Sequence, residues 1–189
     1  MVPLALERLY VLDAERLGQR CSVLLDCVEG GASVGFMQPM CLDQALAFWQ
    51  RVAGGVAAGE RALLVARDAA GIVGTVQLVL DQPDNQARRA DLCKMLVHRR
   101  RRRKGLGAAL MHGAVDLARE CGKQLLVLDT ASVSDAERLY ARLGWQRVGA
   151  IPNYAHWPDG DWIEIVTNSY GLGRRTDVEK KRWRFRSGA

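Results

Sequence analysis

The stretch Asp91–Ala109, DLCKMLVHRRRRRKGLGAA, decides the fold. Its first half, Asp91 to Val97, is a short apolar run with a polar start and predicts a β-strand. A run of basic residues, Arg99–Lys104, leads into Gly105 and Gly107. Leu106, Leu110, Met111, Ala114, Leu117, Ala118 and Cys121 then recur at helical spacing and predict an amphipathic helix over Gly107–Cys121. The order is strand, tight basic turn, helix. Glycines let a backbone approach an anion closely. The N–H groups of a helix start can hold phosphate oxygens, and Arg102, Arg103 and Lys104 supply counter-charge. Taken alone, the basic run also reads as a solvated face or a nucleic-acid contact.

Working outward, Ala62–Arg67 and Ile72–Leu80 read as an antiparallel pair joined by Asp68-Ala69-Ala70-Gly71. Upstream, Leu17, Cys21, Leu24, Leu25 and Val28 form one stripe of a helix over Asp13–Val28, and Ala47, Phe48, Trp49 and Val52 mark a second over Asp43–Val56. The glycine-rich segment between them, Glu29–Met40, is expected either to contribute substrate contacts or to be pinned onto the core by Phe36 and Trp49. Downstream, Leu125–Asp129 reads as a buried parallel strand. Ser134–Leu143 reads as a helix with Ser134 and Glu137 as a capping box and Gly144 as its stop. Trp145–Ile151 is a strand, Pro158-Asp159-Gly160 a turn, and Trp162–Val166 a returning strand. The fold class is α/β.

The chain has 189 residues, enough for one domain with a real core. Residues 1–173 are expected to form that domain and 174–189 a basic flexible tail, dispensable for folding. No apolar run is long enough to span a membrane, and the N-terminus has no signal-peptide pattern. Five cysteines without a CxxC pair suggest a reducing, cytoplasmic setting. Three scattered histidines predict no metal site. The net charge of +6 resides in two patches, Arg99–Lys104 and Arg174–Arg186, while the rest of the chain is acidic. A nucleic-acid surface spreads through a fold and interleaves with aromatics, so nucleic-acid binding is not the expected main function.

Arg102-Arg103-Lys104-Gly105-Leu106-Gly107, after a strand ending at Val97, resembles the acyl-CoA signature of the Gcn5-related N-acetyltransferases. LLVLDT (Leu125–Thr130) and AERLYARLGWQRVG (Ala136–Gly149) resemble that family's fifth strand, its tyrosine-bearing helix and the turn into its last strands. The resemblance runs from about Leu63 to Gly160 and is nearest to small-molecule members of the tabtoxin-resistance type. It implies a single domain with a mixed, mostly antiparallel sheet, a central splayed parallel pair, and flanking helices. Family members begin with a strand and close the sheet with an aromatic-rich one. Here residues 1–12 are irregular and no match continues past Gly160, so both ends are expected to depart from the pattern.

The resemblance also implies chemistry. Acetyl-CoA would bind at Leu96, Val97, Arg102, Arg103, Lys104, Gly105, Gly107 and Ala108, with the acetyl carbonyl on a backbone amide near Leu96–Val97. Tyr140 matches the family's general acid for the departing thiolate. The base is Asp129, which ends the parallel strand, or Asp91, at the glutamate position of histone-type members; Asp129 is favoured. Val133 stands where many members carry an asparagine that bonds the pantetheine chain. The expected activity is direct acetyl transfer from acetyl-CoA to the primary amine of a small molecule, such as a toxin or antibiotic. Acetylation of a protein N-terminus or lysine is the alternative enzyme reading, and a degenerate CoA-binding protein the non-enzymatic one. A roomy cleft between Glu29–Met40 and the strand at 145–151 would favour protein substrates, and a closed pocket a small molecule. A homodimer stays open.

Overall fold

A computed structural model describes residues 4–11 and 13–173, with only the backbone of residues 14 and 15. The tail expected from residue 174 onward lies outside the described residues. The elements follow in the order β1 (Ala5–Leu9), α1 (Ala14–Glu29), α2 (Leu42–Ala57), β2 (Arg61–Asp68), β3 (Gly71–Val79), β4 (Arg89–Val97), α3 (Leu106–Glu120), β5 (Leu125–Ala131), α4 (Asp135–Arg142), β6 (Gln146–His156) and β7 (Trp162–Gly171). The strands form one seven-stranded sheet ordered β1-β2-β3-β4-β5-β7-β6. Every neighbouring pair is antiparallel except β4–β5.

Local chemistry accounts for the boundaries. Asp13 caps α1 by accepting from the Arg16 amide at 2.7 Å. Asp68 closes the β2–β3 turn by accepting from the Ala70 amide at 2.9 Å. Ser134 caps α4 by accepting from the Glu137 amide at 3.1 Å. The expected capping box is only half formed, because the Glu137 carboxylate accepts instead from the amide of Val133, one residue earlier. Gly144, at φ +83°, follows α4 as expected.

Helices cover both faces of the sheet. α1 and α2 bury Cys21, Leu24, Trp49 and Val52 against Leu63, Val65 and Ile72 on one face. On the other, α3 and α4 bury Leu110, Met111, Leu117 and Tyr140 against Leu64, Val76, Leu92 and Leu128. β3 is buried along nearly its whole length for that reason. Ala47, expected on the buried stripe of α2, is exposed, and Ala45 takes its place.

Both ends of the described residues correct the expectation of a departure. Residues Ala5–Leu9 form a regular strand paired antiparallel with β2. β7 is longer than the Trp162–Val166 expected and runs to Gly171, paired with β5 on one side and β6 on the other. The last strand is present and the sheet is complete. Its edge strand β6 carries Pro152, Asn153 at φ +53° and a register shift between Ile151 and Ala155, irregularities that discourage edge pairing. Among the described residues, no helix is long and apolar enough to cross a membrane.

Two features of β4 shape the site. Its pairing with β5 covers only Arg89↔Leu125, Ala90↔Leu126 and Asp91↔Val127, after which the strands splay. A bulge follows at Lys94, φ +49°, opposite a register shift in β3, and its carbonyl accepts from the Thr75 hydroxyl at 3.0 Å. The bulge resets the alternation of faces. Ala90 and Leu92 face the α3 core, whereas Leu96 faces the α1–α2 core and Met95 and Val97 the α3 side.

Candidate active site

The basic turn has the expected shape. A 3₁₀ turn at Arg99–Arg101 leads through Arg103, at φ +59°, to Gly105, at φ +78°, which caps α3. The first intrahelical bond of α3 runs from the Ala109 amide to the Gly105 carbonyl at 3.1 Å. The amides of Leu106, Gly107 and Ala108 therefore lie ahead of the helix's own bonding and carry the positive end of its dipole.

The charge of the run is largely spent on the fold. Arg99 donates to Asp26 at 2.7 Å and to Glu29 at 2.8 Å. Arg100 and Arg101 share Asp68 at 3.0 and 2.7 Å. Burial alone would raise the Asp26 and Asp68 carboxyls; hydrogen bonds and charges from these arginines outweigh it and hold both below the ordinary value. Arg102 turns inward, its Nε donating to the Val97 carbonyl at 3.0 Å and its Nη2 lying 3.8 Å from Cys27 Sγ. Arg103 stands at the rim, exposed, with Asp135 at 2.9 Å. Lys104 departs from expectation: it donates to the Arg100 carbonyl at 3.3 Å and does not line the cavity.

That cavity measures about 770 Å³ and opens at the splay. Leu96, Val97, Arg102, Arg103, Gly105, Gly107 and Ala108 all line it, with Thr130 and Ala131 from the end of β5 opposite. Its size suits a large ligand. The turn amides suit phosphate oxygens, and the slot between Leu96 and Ala131 suits an extended apolar-and-amide arm. The residues present therefore fit acetyl-CoA.

The acid–base candidates are separated by the sheet. Tyr140 is 5% exposed, in the core beneath α4 with the Trp145 ring centroid 6.0 Å away. Burial pushes its phenol above the ordinary value. It does not itself line the cavity, although Leu139 and Leu143 beside it do. Asp129 is exposed and accepts from the Thr167 hydroxyl at 2.7 Å. Strand alternation turns it away from Leu128, which shares Tyr140's core. Asp91 lies where β4 and β5 still pair, ion-paired with Arg89 and accepting from Gln82 Nε2 at 3.1 Å. None of the three lines the cavity, whose wall at the end of β5 is formed by Thr130 and Ala131.

Cys27 and Trp157 are wall residues the sequence did not single out, while Gly30–Val34 belong to the loop it did. Cys27 and the loop Gly30–Val34 form one side, and Trp157 closes an end. The Glu29–Met40 segment, expected either to contribute substrate contacts or to be pinned onto the core, divides in two. Its first half lines the cavity, while Phe36 packs edge-on against Phe48, not Trp49, at 5.2 Å. The segment is also tied to the β6–β7 hairpin. The Gln38 amide donates to the Pro158 carbonyl at 3.0 Å, and the Ser33 hydroxyl to the His156 carbonyl at 3.3 Å. These bonds form a roof over that end of the cleft. An aromatic next to a Pro-Asp-Gly turn was the available signal for Trp157; nothing local marked Cys27. Val133, at φ +58°, is 82% exposed, which removes its side chain from the cavity wall.

A model of the acetyltransferase (GNAT) family matches residues 21–145. Among solved structures, a candidate acetyltransferase from Salmonella typhimurium determined with its cofactor acetyl-CoA superposes with a TM-score of 0.74 at 20% identity, over 92% of this chain and 96% of that one. A candidate phosphinothricin N-acetyltransferase gives 0.73 at 16%, over 91% and 100%. A ribosomal-protein-alanine N-acetyltransferase from Brucella melitensis gives 0.74 at 17%, over 88% and 98%. At these identities the likeness is one of fold, and it extends to structures named for small-molecule and for protein acceptors alike.

Proposed function

Because this chain belongs to the acetyltransferase (GNAT) family and is an acetyl-CoA-dependent N-acetyltransferase, we propose that its acceptor is the primary amine of a small molecule. The observation that carries this is the roof. The Gln38–Pro158 and Ser33–His156 bonds join the α1–α2 loop to the β6–β7 hairpin across the cleft, where a polypeptide acceptor would need an open groove. The unpaired state of all five cysteines supports a reducing compartment. The completed sheet removes the main reason to consider a degenerate, non-catalytic member.

Acetyl-CoA supplies an acetyl group activated as a thioester. The amides of Leu106, Gly107 and Ala108, with Arg103 at the rim, hold the diphosphate. Backbone at Leu96–Val97 orients the acetyl carbonyl in the splay. Tyr140 is the proton donor to the departing thiolate in this reading; burial raises its pKa and makes it a weaker acid, and its phenol has to reach the thiolate past Leu139 and Leu143, which line the cavity. Asp129, oriented by Thr167, accepts the proton of the attacking amine. Asp91, already engaged by Arg89 and Gln82, is the weaker candidate.

The test is a panel of amines assayed by thiol release. It should include phosphinothricin and other amino-acid-like amines beside alanine-starting and lysine-containing peptides. A small amine should show the highest kcat/KM; a peptide turned over more efficiently overturns the acceptor class. With the best acceptor, Tyr140→Phe and Asp129→Asn should each lower kcat about 10²–10⁴-fold at constant acetyl-CoA affinity, and Asp91→Asn should be mild. If Asp91→Asn is the damaging carboxylate variant, the base moves there.

A further inference from the structure

A half-buried cation, Lys94, stands under the roof. Lys94 occupies the β4 bulge, immediately before the Met95–Val97 wall of the cavity. Its side chain rises toward the α1–α2 loop. The Nζ donates to the Val34 carbonyl at 2.6 Å and lies 5.4 Å from the Phe36 ring and 5.6 Å from that of Phe48. Gly35, next to Val34, sits at φ +82°, and a Cβ there would stand 3.3 Å from the ammonium. A desolvated ammonium is costly. Here a carbonyl and two aromatic faces offset that cost. Burial lowers the Lys94 pKa.

We infer that Lys94 is a positioning residue that fixes the height of the α1–α2 loop above β4, and so the size of the acceptor end of the cleft. Among the described residues, three hydrogen bonds tie the loop to β4 and to the β6–β7 hairpin. Two join it to the β6–β7 hairpin, through Gln38 and Ser33; the third is Lys94, which joins it to the strand that orients the acetyl group. A long chain pinned at both ends acts as a strut. The bulge and the left-handed Gly35 are the two backbone irregularities that give it room. The diphosphate turn follows Val97 in the chain, and the bonds of Lys94 go to the loop and not to that turn, so its loss acts first on the loop wall of the cavity.

This inference rests on the acetyltransferase reading of the cleft, and part of its test does not. Lys94→Met keeps the length and removes the donors and charge. Hydrogen exchange of peptides covering residues 31–40 should rise at least tenfold in the variant, while exchange elsewhere and acetyl-CoA affinity stay within twofold. With the best amine of the panel, acceptor KM should rise at least fivefold with kcat within twofold. In the unmodified protein, reductive methylation should spare Lys94 while labelling exposed Lys104 fully. Unchanged loop exchange in the variant overturns the strut, as does labelling of Lys94 at the rate of Lys104. A parallel loss of acetyl-CoA affinity and acceptor KM also overturns it. If no amine in the panel reacts, the exchange and labelling results still decide it.

Discussion

Gly105 and Gly107 belong to one motif, yet the structure assigns them different physical duties, and substitution can separate them. Gly105 sits at φ +78°, and a Cβ there would meet nothing within 4 Å. Its requirement is conformational. An L-residue in the left-handed region costs about 1–2 kcal/mol, and the reduced freedom of the unfolded chain returns about 0.4–1 kcal/mol. Gly105→Ala should therefore destabilise by about 1 kcal/mol, from the difference of those two effects, and Gly105→Asn by less, because asparagine tolerates this region better. Gly107 lies within α3, where alanine is favoured over glycine by about 1 kcal/mol. A Cβ there would stand 3.0 Å from Leu139 Cδ2, the tip of a side chain that lines the cavity. Gly107→Ala should fold as well as the parent, but it narrows the gap between α3 and α4. Urea denaturation and calorimetric titration with CoA read the two effects. The expected pattern is lower stability for Gly105→Ala, near-parent stability and CoA binding for Gly107→Ala, because the Leu139 tip can give way, and at least tenfold weaker CoA binding for the bulkier Gly107→Val. Parent-like CoA binding by Gly107→Val, or Gly105→Asn no better than Gly105→Ala, refutes the assignment.

Two further expectations concern stability. The Asp26 and Asp68 carboxyls are held below their ordinary value by arginines of the basic run, so their contribution is complete above the unfolded-state pKa of about 3.9 and is lost as pH falls through their lower folded values. Urea midpoints measured from pH 7 downward should drop on acidification below about 4, and Asp68→Asn should start lower and fall less; a variant with the parent's pH slope would contradict the pairing. Gly74→Ala should destabilise by about 1–3 kcal/mol as an overpacked site, since its Cβ would lie 3.1 Å from the Leu96 carbonyl and 2.9 Å from Leu110 Cδ1. A melting temperature unchanged in that variant would show that the cavity-wall strand yields more easily than its packing indicates.

Local signals carried much of the fold. Helical stripes, capping residues at Asp13 and Ser134, and the glycines of the basic turn each act within a few residues, so their spacing is visible in the chain. β7 was partly hidden because Thr167, Asn168 and Ser169 resemble a polar loop until both neighbours are in place. Thr167 then faces Asp129, and Asn168 is buried. The β4 bulge escaped for a similar reason, since it depends on the register of β3. At the site, the turn and its glycines were legible. The partners of the basic run were not: Asp26 and Asp68 come from α1 and β2, and only tertiary packing turns an apparently free patch of charge into ion pairs. The loop Glu29–Met40 was marked by its glycines, but the roof contacts that tie it to the β6–β7 hairpin are long-range.

The short β4–β5 ladder has a mechanical consequence. The sheet is two leaves, β1–β4 and β5–β7–β6, bound along a spine of three residue pairs at Arg89–Asp91 and Leu125–Val127. Beyond the spine each leaf has an internal edge, so the opening angle is a degree of freedom that belongs to the spine and to the helices packed across it. Asp91 sits on that spine with Arg89 and Gln82, which gives this carboxylate a role in setting the angle apart from any proton it carries. Substitutions there act on the cleft as a hinge pin acts on a door, from the end opposite the opening.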